Sequence, residues 1–246
     1  MGESIIIKAD DFTYPSKEET KLAINSLPDL KNFGFHEYRI STEILFQSKP
    51  LVAIKKENDL FNWDICLLNR LGNLRIAYVN ASVHYERYSL AKESKAAEKI
   101  HKFQFDFYSE TAYYFLFSVR DTIFQIINLY FDLKIEENEV GVNTIKINLR
   151  DKDLKVLIEG FVKEIKTASD IRNSFTHRFP DNQKDYRAEF DKKDFPGILR
   201  IGNGEEFQPK ALMKNLNGAV NILSKFINDL RAFINVNSNG SPISFK

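Results

Sequence analysis

Residues 102–133 have the sequence KFQFDFYSETAYYFLFSVRDTIFQIINLYFDL. The stretch contains neither glycine nor proline and is longer than ordinary strands, so it predicts a helix. Apolar side chains occupy nearly every face, which predicts a central helix that is buried on more than one side. The same helix does not suit a membrane, because four charged side chains would lie inside the hydrocarbon: Asp106, Glu110, Arg120 and Asp121.

Helical periodicity continues on both sides of this segment. Over residues 60–100, apolar residues recur every three or four positions, which fits one long helix or two shorter ones. A third helix is predicted over residues 151–179, where Pro180 ends it, and a last one over residues 209–234. Four long helical segments with modest connections predict a mainly all-α fold, an up-and-down helical bundle.

The rest of the chain is less regular. Residues 1–58 contain short β-branched or alternating runs, near 4–8 and 35–45, that are broken by proline and glycine. They predict a small irregular or partly stranded N-terminal segment that packs on the bundle. We assign residues 59–237 to the bundle and residues 238–246 to a flexible tail.

A polar, turn-rich insertion interrupts the bundle at residues 180–208. Within it, Gly202-Asn203-Gly204 separates residues 197–201 from residues 205–208. Glycine and asparagine adopt the backbone conformations that tight turns need, so this pattern indicates a hairpin.

Charge and cysteine content exclude several classes of function. The chain has 35 basic and 34 acidic residues and a formal net charge of +1, so any basic binding surface must be local. The single cysteine, Cys66, excludes a disulfide framework within the chain, and the four histidines lack metal-ligand spacing. We therefore expect neither a metal nor a cofactor. An acidic start and a short first apolar run argue against a signal peptide and favour the cytoplasm, with no membrane partner.

One polar motif lies near the end of the third helix, at Arg172-Asn173-Ser174-Phe175-Thr176-His177. At about 100° per residue, Arg172 lies on the edge of the apolar stripe and His177 points roughly 140° away. An arginine beside the core needs a partner or a wet cavity, and Glu110 or Asp121 on the central helix could pair with it. The plainer interpretation is such an ion pair, with His177 exposed at a helix end whose dipole favours it.

This motif resembles that of the HEPN superfamily, in which an arginine, often followed by a polar residue, precedes a histidine by four to six residues. The resemblance covers about residues 60–234 and implies a helical bundle that dimerises and brings two copies of the motif together. Active members are metal-independent endoribonucleases, many of them toxins or antiviral effectors, whereas others have lost catalysis and serve as binding modules. It maps the catalytic roles onto Arg172, Asn173 and His177.

The chemistry suits these residue types. RNA supplies its own nucleophile, the ribose 2′-hydroxyl, so no metal or cofactor is required. A histidine can take or return that proton, and a guanidinium can hold the phosphate in two-point contact. An amide such as that of Asn173 can position the phosphate or the imidazole. The expected products are a 2′,3′-cyclic phosphate and a 5′-hydroxyl.

The sequence thus predicts a metal-independent endoribonuclease, as a toxin or a defence or stress effector, with RNA as substrate. Its expected partners are a second copy of the chain and an antitoxin or regulatory protein. Basic residues after the motif, Arg178, Lys184 and Arg187, are candidates for contact with the RNA backbone, although the acidic residues among them also fit a solvated surface. The alternative is a catalytically inactive HEPN-like module that binds a protein, a nucleotide or RNA.

Overall fold

The computed structural model describes residues 11–35, 50–91, 95–178, 180, 182–184, 187–190, 199–201 and 208–237. These ranges contain seven α-helices and one pair of short strands, which confirms the predicted mainly all-α bundle. The helices are α1 Lys17–Asn25, α2 Leu51–Leu90, α3 Lys95–Tyr130, α4 Val142–Asn148, α5 Lys152–Glu164, α6 Lys166–His177 and α7 Pro209–Asn237, and the strands are β1 Ala188–Phe190 and β2 Leu199–Ile201.

Two long antiparallel helices, α2 and α3, form the centre of the bundle. The ring of Tyr85 on α2 lies 5.7 Å from that of Phe105 on α3, and Arg70, a few turns away, reaches Ser118. Residues 95–100 of the stretch predicted as one helix or two belong to the start of α3, and residues 60–90 belong to the single helix α2. It starts earlier than predicted, directly after Pro50, so the boundary predicted between residues 58 and 59 falls inside α2.

The predicted third helix is two helices, α5 and α6, that meet at Ile165. This residue has φ −85° and ψ 2°, which departs from helical geometry although no proline or glycine marks the position. On either side of this break, each helix makes its own aromatic contact. Phe161 of α5 stacks on Phe226 of α7 at 4.1 Å. Phe175 of α6 meets Tyr113 of α3 edge-on at 5.7 Å. A single straight helix predicted from periodicity alone was therefore wrong.

The described part of the N-terminal segment begins with a helix rather than a strand. Ser16 and Glu19 form a capping box at the start of α1, in which the hydroxyl of Ser16 accepts from the N–H of Glu19 and the carboxylate accepts in return. Residues 28–35 then follow without regular secondary structure. The predicted strand near 4–8, and nearly all of that near 35–45, lie outside the described residues.

A buried carboxylate on α2 accepts hydrogen bonds from residues 32–35 and holds them against the helix. Asp64 is 1% exposed and accepts hydrogen bonds from the backbone N–H groups of Phe33, Gly34 and Phe35 at 2.7, 2.7 and 3.1 Å. The side-chain amide of Asn32 donates a fourth at 2.8 Å. Gly34 has φ 77°, a left-handed conformation that suits glycine and lets consecutive N–H groups converge on one carboxylate.

The strands β1 and β2 pair antiparallel within the predicted insertion, with Glu189 opposite Arg200. Residues 199–201, which the sequence predicted to lie in a hairpin with residues 205–208, pair with residues 188–190 in the structure. Residues 202–207 lie outside the described residues. In the part of the chain that the structure describes, no helix is both long enough and apolar enough to cross a bilayer.

Candidate functional site

Arg172 lies between α6 and the central helix α3. Its guanidinium carbon is 5.3 Å from the centre of the buried Phe117 ring, and Nη1 donates to Oδ1 of Asn173 at 3.2 Å. The side chain is half-buried. Attraction between the cation and the ring face holds the guanidinium, and the neutral amide of Asn173 orients it without neutralising its charge.

The two carboxylates predicted as partners of Arg172 bind other groups. Oε1 of Glu110 accepts from Nδ2 of Asn182 at 2.9 Å, and Asp121 pairs with its neighbour Arg120 at 2.7 Å. Among the residues that the structure describes, no carboxylate lies within ion-pair distance of Arg172. The predicted ion pair of Arg172 with Glu110 or Asp121 was therefore wrong, because Asn182 and Arg120 bind these two carboxylates instead.

His177 is the last residue of α6 and is exposed. The helix ends there because Arg178 adopts extended backbone, while its N–H still bonds to the carbonyl of Ser174 at 3.2 Å. Five positions separate Arg172 from His177, so the two side chains leave the helix in different directions, as predicted. Within the described residues no hydrogen bond joins them, and a single chain leaves the imidazole open to solvent.

The segment after the motif is fastened to α3 by Asn182, which is 2% exposed. Its side-chain amide donates to Glu110, and its backbone carbonyl accepts from Nζ of Lys102 at 3.3 Å. Sequence reasoning did not identify this asparagine, since nothing local distinguishes it from other loop residues. The three basic candidates in this segment are all exposed: Arg178, Lys184 and Arg187.

Three aromatic residues of α3 are exposed, although the sequence predicted a helix buried on more than one side. Phe103, Phe107 and Tyr114 are 49%, 57% and 59% exposed, whereas most of their neighbours are buried. Spacings of four and seven residues place them along one face of the helix, which we call the aromatic stripe. The contacts of α6 and of Asn182 with α3 fall within the same turns, so the stripe runs near the motif.

A second polar cluster joins α2 and α3 to the N-terminal segment. Nδ1 of the fully buried His84 lies 3.4 Å from Nδ1 of His101, and its ring stacks on Tyr108. Beside them, Arg87 binds both carboxylate oxygens of Glu19, at 2.8 and 2.7 Å. No local motif signals this cluster, because its residues come from three helices, α1, α2 and α3, that meet only in the fold.

Burial and charge set the protonation of this cluster. Burial lowers the pKa of His84 to about 4, and the positive charges of Arg87 and His101 act in the same direction. Hydrogen bonds from Arg87 and from the backbone of Ser16 lower the pKa of Glu19 to about 2. At neutral pH the cluster therefore contains a neutral imidazole beside an ion pair. Within the described residues, no group of three or more His, Cys, Asp or Glu side chains is arranged to hold a metal ion.

Comparison with known families supports the assignment made from the motif. A family model described as Cthe2314-like HEPN matches residues 63–234, which is more than half of the chain and includes the motif at residues 172–177. No curated protein and no solved structure is significantly similar to this chain. The matched range contains α3 to α6 in full and most of α2 and α7. The chain is a member of the HEPN superfamily, in its Cthe2314-like family.

Proposed function

We propose that this protein is a metal-independent endoribonuclease in which Arg172, Asn173 and His177 act on the phosphodiester of RNA. One observation carries the proposal: Arg172 is half-buried, is oriented by a neutral amide and has no carboxylate within ion-pair distance among the described residues. A guanidinium held in this way retains its charge for an anion, and planar, two-point contact suits a phosphate. His177, the last residue of the same helix, presents an exposed imidazole.

In the proposed reaction the ribose 2′-oxygen attacks the adjacent phosphorus. The bond from phosphorus to the 2′-oxygen forms while the bond to the 5′-oxygen of the next nucleotide breaks. An imidazole takes the proton of the 2′-hydroxyl, and an imidazolium returns a proton to the departing 5′-oxygen. The guanidinium of Arg172 stabilises the negative charge that develops on the phosphoryl oxygens. Two copies of His177, one from each chain of a homodimer, would divide the roles of base and acid.

We assign the contact between the two copies to the aromatic stripe. Exposed aromatic surface of this extent on a helix marks an interaction surface, and this one runs near α6. Pairing through the stripe would bring the two copies of α6 toward one cleft. Cleavage of cellular RNA as a toxin or defence effector, restrained by an antitoxin or regulatory protein, is the physiological role that we propose for such an enzyme.

Cleavage of RNA in EDTA tests the proposal. Purified protein is expected to cleave single-stranded RNA, leaving 2′,3′-cyclic phosphate and 5′-hydroxyl ends that mass spectrometry identifies. Substituting His177→Ala is expected to lower the single-turnover rate roughly 100-fold or more, because it removes proton transfer. Thr167→Ala, an exposed change on the same helix, serves as the control and should retain the wild-type rate. Absence of cleavage, or cleavage undiminished in His177→Ala, would overturn the proposal.

The oligomeric state provides a separate test. Substituting Phe107→Glu places a charge on the aromatic stripe and is expected to convert a dimer into a monomer, because a desolvated carboxylate opposes association. Light scattering after gel filtration measures this change, and the monomer should lose cleavage. The matched control is Ile147→Glu, at an apolar residue of α4 that is 79% exposed. A wild-type protein that is monomeric at micromolar concentration would contradict the assignment.

The second candidate is a catalytically inactive binding module. It is favoured by one observation: Arg172 and His177 make no contact with each other among the described residues of a single chain. If this candidate is correct, wild-type protein should bind RNA or a protein without cleaving RNA. Binding should then also persist in His177→Ala.

A further inference from the structure

Two arginines share one aromatic ring at the candidate site. The guanidinium carbon of Arg120 lies 4.8 Å from the centre of the Phe117 ring, and that of Arg172 lies 5.3 Å from the same centre. The two guanidiniums are therefore at most about 10 Å apart, each within the range of a cation–ring contact. Arg120 comes from α3 and Arg172 from α6, so the packing of two helices creates the pair.

Among the residues that the structure describes, one carboxylate, that of Asp121, pairs with either of these two guanidiniums. Asp121 binds Arg120 through one oxygen, which accepts from Nε at 2.9 Å and from Nη2 at 2.7 Å. Within the described part of the chain, the side-chain partner of Arg172 is the neutral amide of Asn173. The cluster of Arg120, Asp121 and Arg172 thus carries one positive charge in excess. Two cations held this close repel each other, and an added anion relieves that repulsion.

The ion pair of Arg120 with Asp121 is readily exchanged. Adjacent residues of a helix do not face each other, so the guanidinium must fold back across the surface of α3 to reach Asp121. The carboxylate is 55% exposed, whereas the Arg120 side chain is 18% exposed. A carboxylate open to water contributes little stability to such a pair. The aromatic contacts with Phe117 and Phe124, at 4.8 and 6.0 Å, keep Arg120 in place without it.

We propose that Arg120 is a second phosphate ligand of this site. It binds a phosphate neighbouring the one that Arg172 contacts on a single RNA strand, and Asp121 takes that position when no RNA is bound. The inference rests on the proposed function, because it assumes that Arg172 faces a phosphodiester. The inference adds two things to the proposed function. The site contacts the RNA strand at two phosphates, and the Asp121 carboxylate competes with one of them until the RNA displaces it.

Binding of a 2′-O-methyl RNA oligonucleotide tests the inference without cleavage, because this ligand lacks the attacking hydroxyl. Fluorescence anisotropy over a range of salt concentrations measures affinity and its salt dependence. Arg120→Ala is expected to weaken binding about tenfold and to lower the slope of log affinity against log salt by about one. Arg120→Lys keeps the charge and the fold but loses two-point contact, and is expected to bind at an intermediate affinity. Arg150→Ala is the control for loss of one exposed positive charge.

Asp121→Asn separates this role from a general effect of charge. If Asp121 competes with phosphate for Arg120, its neutralisation should tighten binding several-fold, and the gain should vanish in the Arg120→Ala background. An equal gain in both backgrounds, or an Arg120→Ala protein with wild-type affinity and salt slope, would overturn the inference. Failure of the proposed function gives a different result. Wild-type protein would then not bind the oligonucleotide at all, or it would bind RNA without cleaving it while the coupling between Asp121→Asn and Arg120→Ala persists.

Discussion

Replacing Asp64 by alanine is expected to lower the free energy of unfolding by roughly 4 kcal/mol. The carboxylate is 1% exposed and accepts from three consecutive backbone N–H groups, those of Phe33, Gly34 and Phe35. Each buried donor left without an acceptor costs about 1–3 kcal/mol. Loss of the buried charge offsets part of this cost, because burial disfavours the carboxylate. It raises the pKa of Asp64, and the hydrogen-bond donors oppose that rise only in part. Urea unfolding of the two proteins at pH 7.5 measures the difference.

The matched control is Asp59→Ala on the same helix. Asp59 pairs with Lys55, whose side chain is 78% exposed, so its loss is expected to change stability by at most about 0.5 kcal/mol. Asp64→Asn keeps the shape but places an amide donor against backbone donors, and should fall between the two. A loss below about 1 kcal/mol for Asp64→Ala would mean that residues 32–35 detach from α2 without consequence for the core.

Acidification from pH 7 to pH 4 is expected to destabilise the fold by about 3 kcal/mol through His84. Burial lowers the pKa of His84 to about 4 from its ordinary value of about 6.5, so the unfolded chain binds more protons than the native chain between these values. The stability that His84 contributes is present above pH 6.5 and is lost as the pH falls through 4. At about 1.36 kcal/mol per unit of pKa difference, the loss reaches about 2 kcal/mol at pH 5.

Comparison with His84→Phe isolates this contribution. The phenyl ring keeps the stack on Tyr108 but does not titrate, so its stability should fall less between pH 7 and pH 4. Glu19 does not affect the comparison above pH 4.5. Its pKa is lowered to about 2, so the stability that it contributes is lost only as the pH falls from 4.5 towards 2. The measurement is urea unfolding of both proteins at several pH values. Parallel pH profiles of the two proteins would contradict the assignment.

The bundle could be predicted from sequence because its helices are long and periodic. The apolar run at residues 102–133 requires burial on several sides, and α3 and α7 lie close to their predicted ranges. The breaks were harder to predict. The turn at Ile165 is set by where Phe161 and Phe175 find their partners on other helices, which no local signal encodes. The capping box at Ser16 does signal α1, although β-branched runs nearby favoured a stranded interpretation.

The candidate site was predictable only in part, for the same reason. The order and spacing of Arg172, Asn173 and His177 are local, and they are sufficient to identify the motif. The neighbours of Arg172 come from a distant part of the chain, and sequence alone gave no means of choosing between Asp121 and the ring of Phe117. The structure assigns Asp121 to Arg120 and the ring to both arginines. The role of the aromatic stripe likewise depends on which faces of α3 the other helices leave open.

The central helix α3 sets the distances between the residues that hold the candidate site together. Glu110 binds Asn182 of the loop, Phe117 contacts Arg172, and Asp121 pairs with Arg120, all on one continuous segment of α3. Their separation is therefore fixed by helical rise and rotation rather than by how the helices are connected. One residue added or removed between Glu110 and Phe117 would turn one attachment point by about 100° relative to the other. Insertions or deletions in the loops between helices would leave these distances along α3 unchanged.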